Sequence, residues 1–288
     1  ALQPLAEELR HGPLDFATFY LDDGVLAGSS ASVAAALSHV QTRAQDLGLT
    51  LNLAKCEVIA AGQTPDAPLA ALFPSQLLLN ADGSPRILRN FELLGAALGD
   101  ADHVTAATTK RVAKATALLD AIGRLEDPQV ALRLLRSCGG HARLMHSMRC
   151  VPPSAQQSAL LQFDVQARHC LASFTGMHLN HAQWAQAVRG FDHGGLALRS
   201  AVLDAPAAYL ASLGGCLDRC SDLDPAFDHT DATNAPDVTQ ALLLFNTHVD
   251  KQLQLGEVLR QRQKSLTQLL DSHSWHRQLA ASTPAAKA

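Results

Sequence analysis

The stretch Phe16–Gly28, "FATFYLDDGVLAG", decides how the rest of the chain is interpreted. Two runs of apolar and β-forming residues, 14–20 and 24–27, flank the adjacent carboxylates Asp22 and Asp23, which predicts a β-hairpin with both charges at its tip. Two neighbouring ionised carboxylates cost free energy unless a cation lies beside them. Mg²⁺ suits that place, because it prefers oxygen ligands and is commonly held by one or two carboxylates together with substrate phosphates. An ordinary acidic turn is the alternative, since Asp-Gly is a common turn dipeptide.

An amphipathic helix is predicted directly after the hairpin. Apolar residues recur at steps of three and four between Ser30 and Leu47, and Gly48 follows as a residue that suits the end of a helix. The recurrence places the apolar residues on one face, which we expect to lie on a sheet.

Shorter apolar runs follow the helix. "LTLN" at 49–52 and "CEVIAAG" at 56–62 predict two short strands with Lys55 on the loop between them. Several prolines and glycines make residues 63–90 irregular. "FELLGAALG" at Phe91–Gly99 predicts a further strand or hairpin, with glycines where the backbone bends.

From about residue 104 the sequence pattern becomes helical. The predicted helices are 104–123, 128–150, 154–173, a helix, glycine turn and new start within 181–201, and a helix or helix pair at 240–270. Residues 202–238 hold seven aspartates against one arginine, which predicts a solvated linker.

Composition excludes several classes of protein. The 288 residues are 47% hydrophobic with a net charge of −4, which describes a globular protein without a global attraction to nucleic acid. No apolar run approaches the roughly 20 residues that cross a bilayer, and no signal peptide is visible. We therefore expect an intracellular protein, nuclear or cytoplasmic, that is not secreted and has no membrane partner.

The six cysteines have no disulfide spacing and are expected to be reduced thiols. Cys216 and Cys220 are four residues apart, but zinc needs four convergent ligands and no second pair is visible. The chain opens without Met on residues that resemble the middle of a helix, so we expect a fragment of a longer product.

Three motifs in order resemble the palm of reverse transcriptases. Tyr20–Asp23 matches the family's YxDD hairpin, "GLTLNLAKCE" at Gly48–Glu57 is similar to the next palm motif, and Phe91–Gly99 is similar to the primer grip. The opening "ALQPLAEEL" and "HGGLALRSA" at His193–Ala201 resemble elements that flank these motifs in non-LTR retrotransposon polymerases. The resemblance covers residues 1–100 well and about 101–215 loosely.

The resemblance implies an α+β fold, in which a partial polymerase palm of antiparallel hairpins plus helix precedes a mainly α-helical thumb and tail. The expected divisions are the C-terminal part of the palm at 1–100, a helical thumb-like region at 101–201, an acidic linker at 202–238, and a C-terminal helical segment and tail at 239–288.

Site residues follow from the resemblance. It implies that Asp22 is a direct ligand of Mg²⁺, or of Mn²⁺, and that Asp23 is the second acidic group. Tyr20 is expected to pack beneath the primer terminus or the incoming nucleotide. Lys55 is expected to approach the triphosphate and to donate a proton to the departing pyrophosphate. Gly95 is expected to let the backbone pass close to the primer.

A cationic segment supports the thumb interpretation. Residues 104–150 hold eight basic residues against three acidic ones, in a chain whose total charge is −4. Lys110, Arg111 and Lys114 cluster within one helical turn and are expected to contact the nucleic-acid backbone, where each neutralised phosphate releases counterions. A solvated helix face is the alternative.

The chain also departs from the family pattern. The family's other metal-binding aspartate, the fingers and a Gln-Gly-Asp-type nucleotide motif lie upstream of the hairpin, and the about 10 residues before His11 cannot hold them. The resemblance implies that the intact enzyme uses an RNA template, a DNA primer and dNTP. Because of this departure, we expect this chain alone to be inactive. The alternatives are a non-catalytic retroelement remnant that binds nucleic acid or protein, and an unrelated α+β protein with a chance YLDD turn.

Overall fold

The chain divides into two compact units. A computed structural model describes residues 3–20, 23–60, 69–223, 228 and 235–282. The first unit ends at Phe91 and the second begins at Glu92, and a short segment from Cys220 is grouped with the first. The described chain is mainly helical and has two small antiparallel hairpins, which agrees with the predicted α+β class.

The first unit begins with a helix, a hairpin and a second helix. These elements are α1 (Gln3–Arg10), β1 (Phe16–Tyr20), β2 (Asp23–Ala27) and α2 (Ser30–Asp46). The strands are antiparallel, and their register pairs Phe16 with Ala27 and Tyr20 with Asp23. The predicted hairpin is confirmed, and its second strand begins one residue earlier than expected.

The predicted helix α2 is also confirmed. Ser29 Oγ accepts a hydrogen bond from the Ser32 amide and caps its first turn. The spacing predicted one apolar face on this helix, but residues of α2 pack into two apolar clusters. One set of its residues packs with α1 and the hairpin, and a second set packs with residues 53–87. The first set contains Ala36 and Val40, and the second contains Val33, Ala34 and Leu37.

The strands predicted at 49–52 and 56–62 are wrong for their described residues. A 3₁₀ turn, Leu53–Lys55, takes their place, and the only ladder contact of the second segment among described residues is an isolated bridge between Ile59 and Leu88. Side-chain caps, described below, satisfy this backbone without a sheet. The short helices α3 (Leu69–Leu72) and α4 (Ser75–Leu78) follow.

A second hairpin begins at the boundary between the units. Strands β3 (Phe91–Leu93) and β4 (Ala96–Leu98) pair with each other, which confirms the predicted hairpin. Leu94 and Gly95 connect them with φ of 48° and 78°, so the backbone turns through the left-handed region there.

Helices form most of the rest of the described chain, and a 3₁₀ turn lies at Phe191–His193. The helices are α5 (Ala101–Gly123), α6 (Pro128–Leu134), α7 (Met145–Cys150), α8 (Pro153–Thr175), α9 (His181–Val188), α10 (Ala201–Gly214), α11 (Leu217–Leu223), α12 (Pro236–Asn246), α13 (Leu255–Leu259) and α14 (Gln263–Ala281). The predicted single helix at 128–150 is wrong, because a π-helical turn at Leu135–Gly139 and a 3₁₀ turn at His141–Leu144 separate α6 from α7.

The second unit has two main apolar clusters. Helices α5 and α8 lie along each other and, with α7 and α10, enclose a core that includes Leu119, Leu144 and Phe163. Helices α10, α12, α13 and α14 enclose another around Leu210 and Phe245. Helix α10 contributes to both clusters and therefore joins them.

The expected solvated linker at 202–238 is wrong for the part that α10 occupies. Asp204 is only 4% exposed, and its Oδ2 lies 3.8 Å from Nε2 of His141. Burial raises the pKa of Asp204 to about 7 and lowers the pKa of His141 to about 4, because desolvation disfavours the charged form of each group. An alanine-rich helix can thus bury a carboxyl group, which a count of aspartates along the chain does not reveal. The described segment 240–270 likewise forms three helices where one or two were predicted.

We expect Gly214→Ala to lower the free energy of unfolding by about 1–3 kcal/mol, as measured by urea denaturation followed by far-UV circular dichroism. The reason is steric, since a Cβ at Gly214 would overlap the carbonyl group of Leu259, where α10 meets α13.

The adjacent Gly215 is the matched control. Its added Cβ would meet nothing nearer than 3.5 Å, so Gly215→Ala should change stability by less than about 1 kcal/mol. Equal effects of the two substitutions would contradict the close contact between α10 and α13.

Candidate functional site

The acidic hairpin tip is the centre of the candidate site. Tyr20 and Asp23 are directly opposite each other, so the chain passes from β1 to β2 through residues 21 and 22 alone. Leu21 and Asp22 lie outside the described residues, and the predicted role of Asp22 stays a prediction. Directly paired residues of a hairpin project from the same face of the sheet.

That face differs from the one that the helices cover. Ala17, Phe19 and Leu26 belong to the apolar cluster with α1 and α2, and side chains alternate between faces along a strand. Tyr20 and Asp23 therefore project from the opposite face. Both are exposed, Tyr20 by 62%.

Of the ligands that a hard cation needs, the described part of this tip supplies one carboxylate. Asp23 is an exposed carboxylate, and no ion pair involves it among the described residues. Carboxylate oxygens are the ligands that Mg²⁺ prefers. Within 3–20, 23–60, 69–223, 228 and 235–282, no three His, Cys, Asp or Glu side chains are placed to hold a metal ion. The expected Mg²⁺ or Mn²⁺ ion stays a prediction.

Lys55 lies in a 3₁₀ turn whose backbone is held by hydrogen bonds before and after this residue. The side chain of Asn52 accepts a hydrogen bond from the Ala54 amide at 3.0 Å, and the amides of Lys55 and Cys56 close the 3₁₀ turn. The Lys55 side chain itself is exposed. The loop position that the sequence predicted is correct.

Arg86 is a positioning residue that the sequence did not reveal. Its Nη2 donates hydrogen bonds of 2.6 and 2.9 Å to the carbonyl oxygens of Ala54 and Cys56, on either side of Lys55, and its Nη1 donates to the Gln76 carbonyl at 2.8 Å. One planar guanidinium thereby holds the Lys55 turn against the segment that contains α4. Arg86 lies in the proline-rich region predicted to be irregular, about 30 residues away, and no local pattern marks it.

The thiol that follows Lys55 is a structural group. Cys56 Sγ lies 3.4 Å from the Asn52 carbonyl oxygen and can donate to it, and burial raises the pKa of the thiol. A thiol held protonated is a poor nucleophile and a poor metal ligand.

Gly95 and Arg111 are brought together in the second unit. Arg111 on α5 donates from Nη2 to the Gly95 carbonyl oxygen, at the left-handed turn between β3 and β4. His146 on α7 also approaches, since an added Cβ at Gly95 would lie 3.8 Å from its ring. Arg111 therefore supports the turn of the segment that resembles the primer grip, and its predicted contact with nucleic acid stays a prediction.

Lys110 and Lys114 are exposed one turn apart on α5. Their spacing of four residues places both on one face of the helix. The ion pairs of the described residues include neither lysine. Both ammonium groups are available to an anionic partner.

Comparison of the chain with protein-family models, with curated proteins and with solved structures finds no match. In the described part of the chain, no helix combines the length and the apolar character that crossing a bilayer requires.

We expect Arg86→Lys to loosen the Lys55 turn, because one ammonium nitrogen cannot take the places of both Nη2, on the Ala54 and Cys56 carbonyl groups, and Nη1, on the Gln76 carbonyl group. The amides of Lys55 and Cys56 should exchange with solvent about 10-fold faster, as measured by hydrogen exchange, since hydrogen bonds from charged groups contribute about 1.5–3 kcal/mol.

Arg10→Lys, at the exposed end of α1, is the matched control and should leave that exchange unchanged. Unaltered exchange of the Lys55 amide in the Arg86 variant would contradict the role of Arg86 in holding this turn.

Proposed function

We propose that the chain forms the C-terminal part of the palm and the thumb of a reverse transcriptase of the non-LTR retrotransposon type. The observation that carries the proposal is the placement of the YLDD hairpin. Its register puts Tyr20 and Asp23 on the sheet face that α1 and α2 leave open, where a nucleic-acid end has access. A buried or helix-covered Asp23 would be incompatible with this function.

The reaction proposed for the intact protein is RNA-templated DNA synthesis. The primer 3′-oxygen attacks the α-phosphorus of a dNTP, a new phosphodiester bond forms, and pyrophosphate leaves. When bound, Mg²⁺ would lower the pKa of the attacking hydroxyl and would neutralise charge at the leaving oxygen. Asp22 and Asp23 would provide carboxylate ligands, and an upstream palm aspartate would complete the set.

The remaining site residues bind and orient the substrates. Tyr20, exposed beside Asp23, offers its ring to the primer terminus or the nucleotide. Lys55 extends from a fixed turn, reaches the triphosphate and donates a proton to pyrophosphate. Lys110 and Lys114 contact phosphates of the RNA–DNA hybrid from one face of α5.

A second candidate is a non-catalytic module that binds nucleic acid. It is favoured by the second unit, which has its own apolar cores and presents Lys110 and Lys114 without ion pairs among the described residues. These features require neither the hairpin nor a metal ion. Binding without synthesis is the outcome that would select this candidate.

Binding to a labelled RNA–DNA primer–template, measured by fluorescence anisotropy over a salt series, tests the thumb. We expect the double variant Lys110→Ala/Lys114→Ala to reduce the slope of log K against log salt by about 1–2, because each lost phosphate contact removes about 0.7–0.9. The variant Lys251→Ala/Lys264→Ala removes the same charge from exposed positions elsewhere and should keep the slope. Equal losses in both variants would contradict a thumb surface on α5.

Primer extension by the longer protein that includes the upstream palm tests the enzyme. Asp23→Asn should lower extension by at least about 100-fold, whereas Asp15→Asn, an exposed carboxylate before the same hairpin, should not. Binding with no extension selects the non-catalytic module. Neither binding nor extension would overturn both candidates.

A further inference from the structure

An exposed aromatic ring in the second unit carries an arginine on its face. Phe191 is 58% exposed, and the guanidinium carbon of Arg136 lies 4.3 Å from the centroid of its ring. This geometry is that of a cation–π pair. More than half of Phe191 nevertheless stays open to solvent, so the pair leaves aromatic surface for a further partner.

Arg136 projects from an unusual backbone segment. It lies in the π-helical turn Leu135–Gly139, and such turns are rare and frequently occur at functional sites. Arg133, on the preceding helix turn, is also exposed. Within the described part of the chain, the ion pairs and side-chain hydrogen bonds involve the guanidinium of neither arginine.

The surrounding sequence is strongly cationic. Residues 128–163 contain no Asp or Glu and four arginines, which are Arg133, Arg136, Arg143 and Arg149. Asp192 follows Phe191 directly and is an acidic residue beside the ring in sequence. A stretch of this length with only positive charge favours an anionic partner.

The turn that presents Phe191 is anchored by a buried carboxylate. Asp271 on α14 accepts a hydrogen bond of 3.1 Å from the Gly190 amide, and both of its oxygens accept from Arg199 Nη1, at 2.8 and 2.9 Å. Asp271 is 6% exposed, so the carboxylate of this ion pair is shielded from solvent. The residue immediately before Phe191 is therefore fixed to the helical core.

Close backbone packing adds to this anchor. Gly195 donates from its amide to the Gly190 carbonyl oxygen at 3.1 Å, and a Cβ at Gly195 would overlap the Arg189 carbonyl group. Arg189 is itself buried and lies 5.3 Å from the centroid of the Trp275 ring. The "GG" of the segment "HGGLALRSA" thus closes a rigid turn, which holds Phe191 in place without burying its ring.

We propose that Phe191 and Arg136 form a stacking platform for one base of single-stranded nucleic acid, with Arg133 at a neighbouring phosphate. Base–aromatic stacking needs an exposed, pre-oriented ring, and arginine adds charge on the same surface. This inference rests on the proposed nucleic-acid binding and extends it to an unpaired strand. An acidic peptide is the alternative partner. Its carboxylates would pair with the arginines, but the exposed Phe191 ring, which lies outside a pocket, would add little to its affinity.

A single-stranded RNA 12-mer with one central 2-aminopurine tests the platform, because stacking quenches that base's fluorescence. We expect quenching on binding to the wild-type chain. Phe191→Leu, which keeps the apolar side chain and removes the π-face, should abolish quenching and weaken binding at least about fivefold. Phe191→Tyr should retain both.

Two controls separate stacking from other effects. Leu243→Ala removes a side chain that is 65% exposed on α12 and should leave quenching and affinity unchanged. Arg136→Lys keeps the charge but not the planar contact, so it should weaken quenching while the salt slope stays the same. Because Phe191 is largely exposed, its variants should unfold at the wild-type temperature.

The outcomes distinguish this inference from the proposed function. Undiminished quenching in Phe191→Leu, or equal competition by a poly-glutamate peptide of the same charge, would overturn the platform. If the RNA–DNA hybrid still binds in a Lys110- and Lys114-dependent way in that case, the thumb proposal stands alone. If neither the hybrid nor the single strand binds, both proposals fall.

Discussion

The cross-strand pairing of Tyr20 with Asp23 is the constraint on which the candidate site depends. It leaves two residues to connect β1 and β2, and it fixes which side chains share a face. Because Ala17 and Leu26 pack under α1 and α2, the alternation of side chains directs Asp23 away from that core. A shift of one residue in the register would bury the carboxylate and expose the apolar residues, so the same apolar packing that stabilises the first unit also places its acidic tip.

Charge has two separate uses in the second unit. Buried charged and polar groups fix the backbone, as Asp271 does through Gly190 and Arg199, and as Asp164 does where it accepts hydrogen bonds from Ser200 and the first amides of α10. The exposed Lys110 and Lys114 on α5, and Arg133 and Arg136 at the π-helical turn, make no such backbone contacts among the described residues and form cationic surface. The first group supplies a rigid frame, and the second supplies the charge that we propose binds nucleic acid.

Local patterns predicted the elements that local interactions determine. The hairpin at 16–27 and helix α2 follow from strand composition, helical spacing and the Ser29 cap, all of them local in sequence. In the described part of 49–62 the strand prediction is wrong, and around residues 54–56 Asn52 and Arg86 satisfy the backbone in another way. The linker prediction is wrong for the part in α10 because charge was counted along the chain, whereas α10 buries Asp204. The Arg199–Asp271 pair joins residues 72 positions apart, and no local signal marks such a pair.

The central claim is that the acidic hairpin tip holds a divalent cation, and paramagnetic broadening by Mn²⁺ tests it most directly. The account predicts that substoichiometric Mn²⁺ broadens the amide resonances of Tyr20, Asp23 and Gly24 first, and that Asp22→Asn/Asp23→Asn removes this effect. Excess Mg²⁺ should restore the signals by competition. Broadening that begins instead at another exposed carboxylate, such as Asp82, or that persists in the double variant, would contradict the claim.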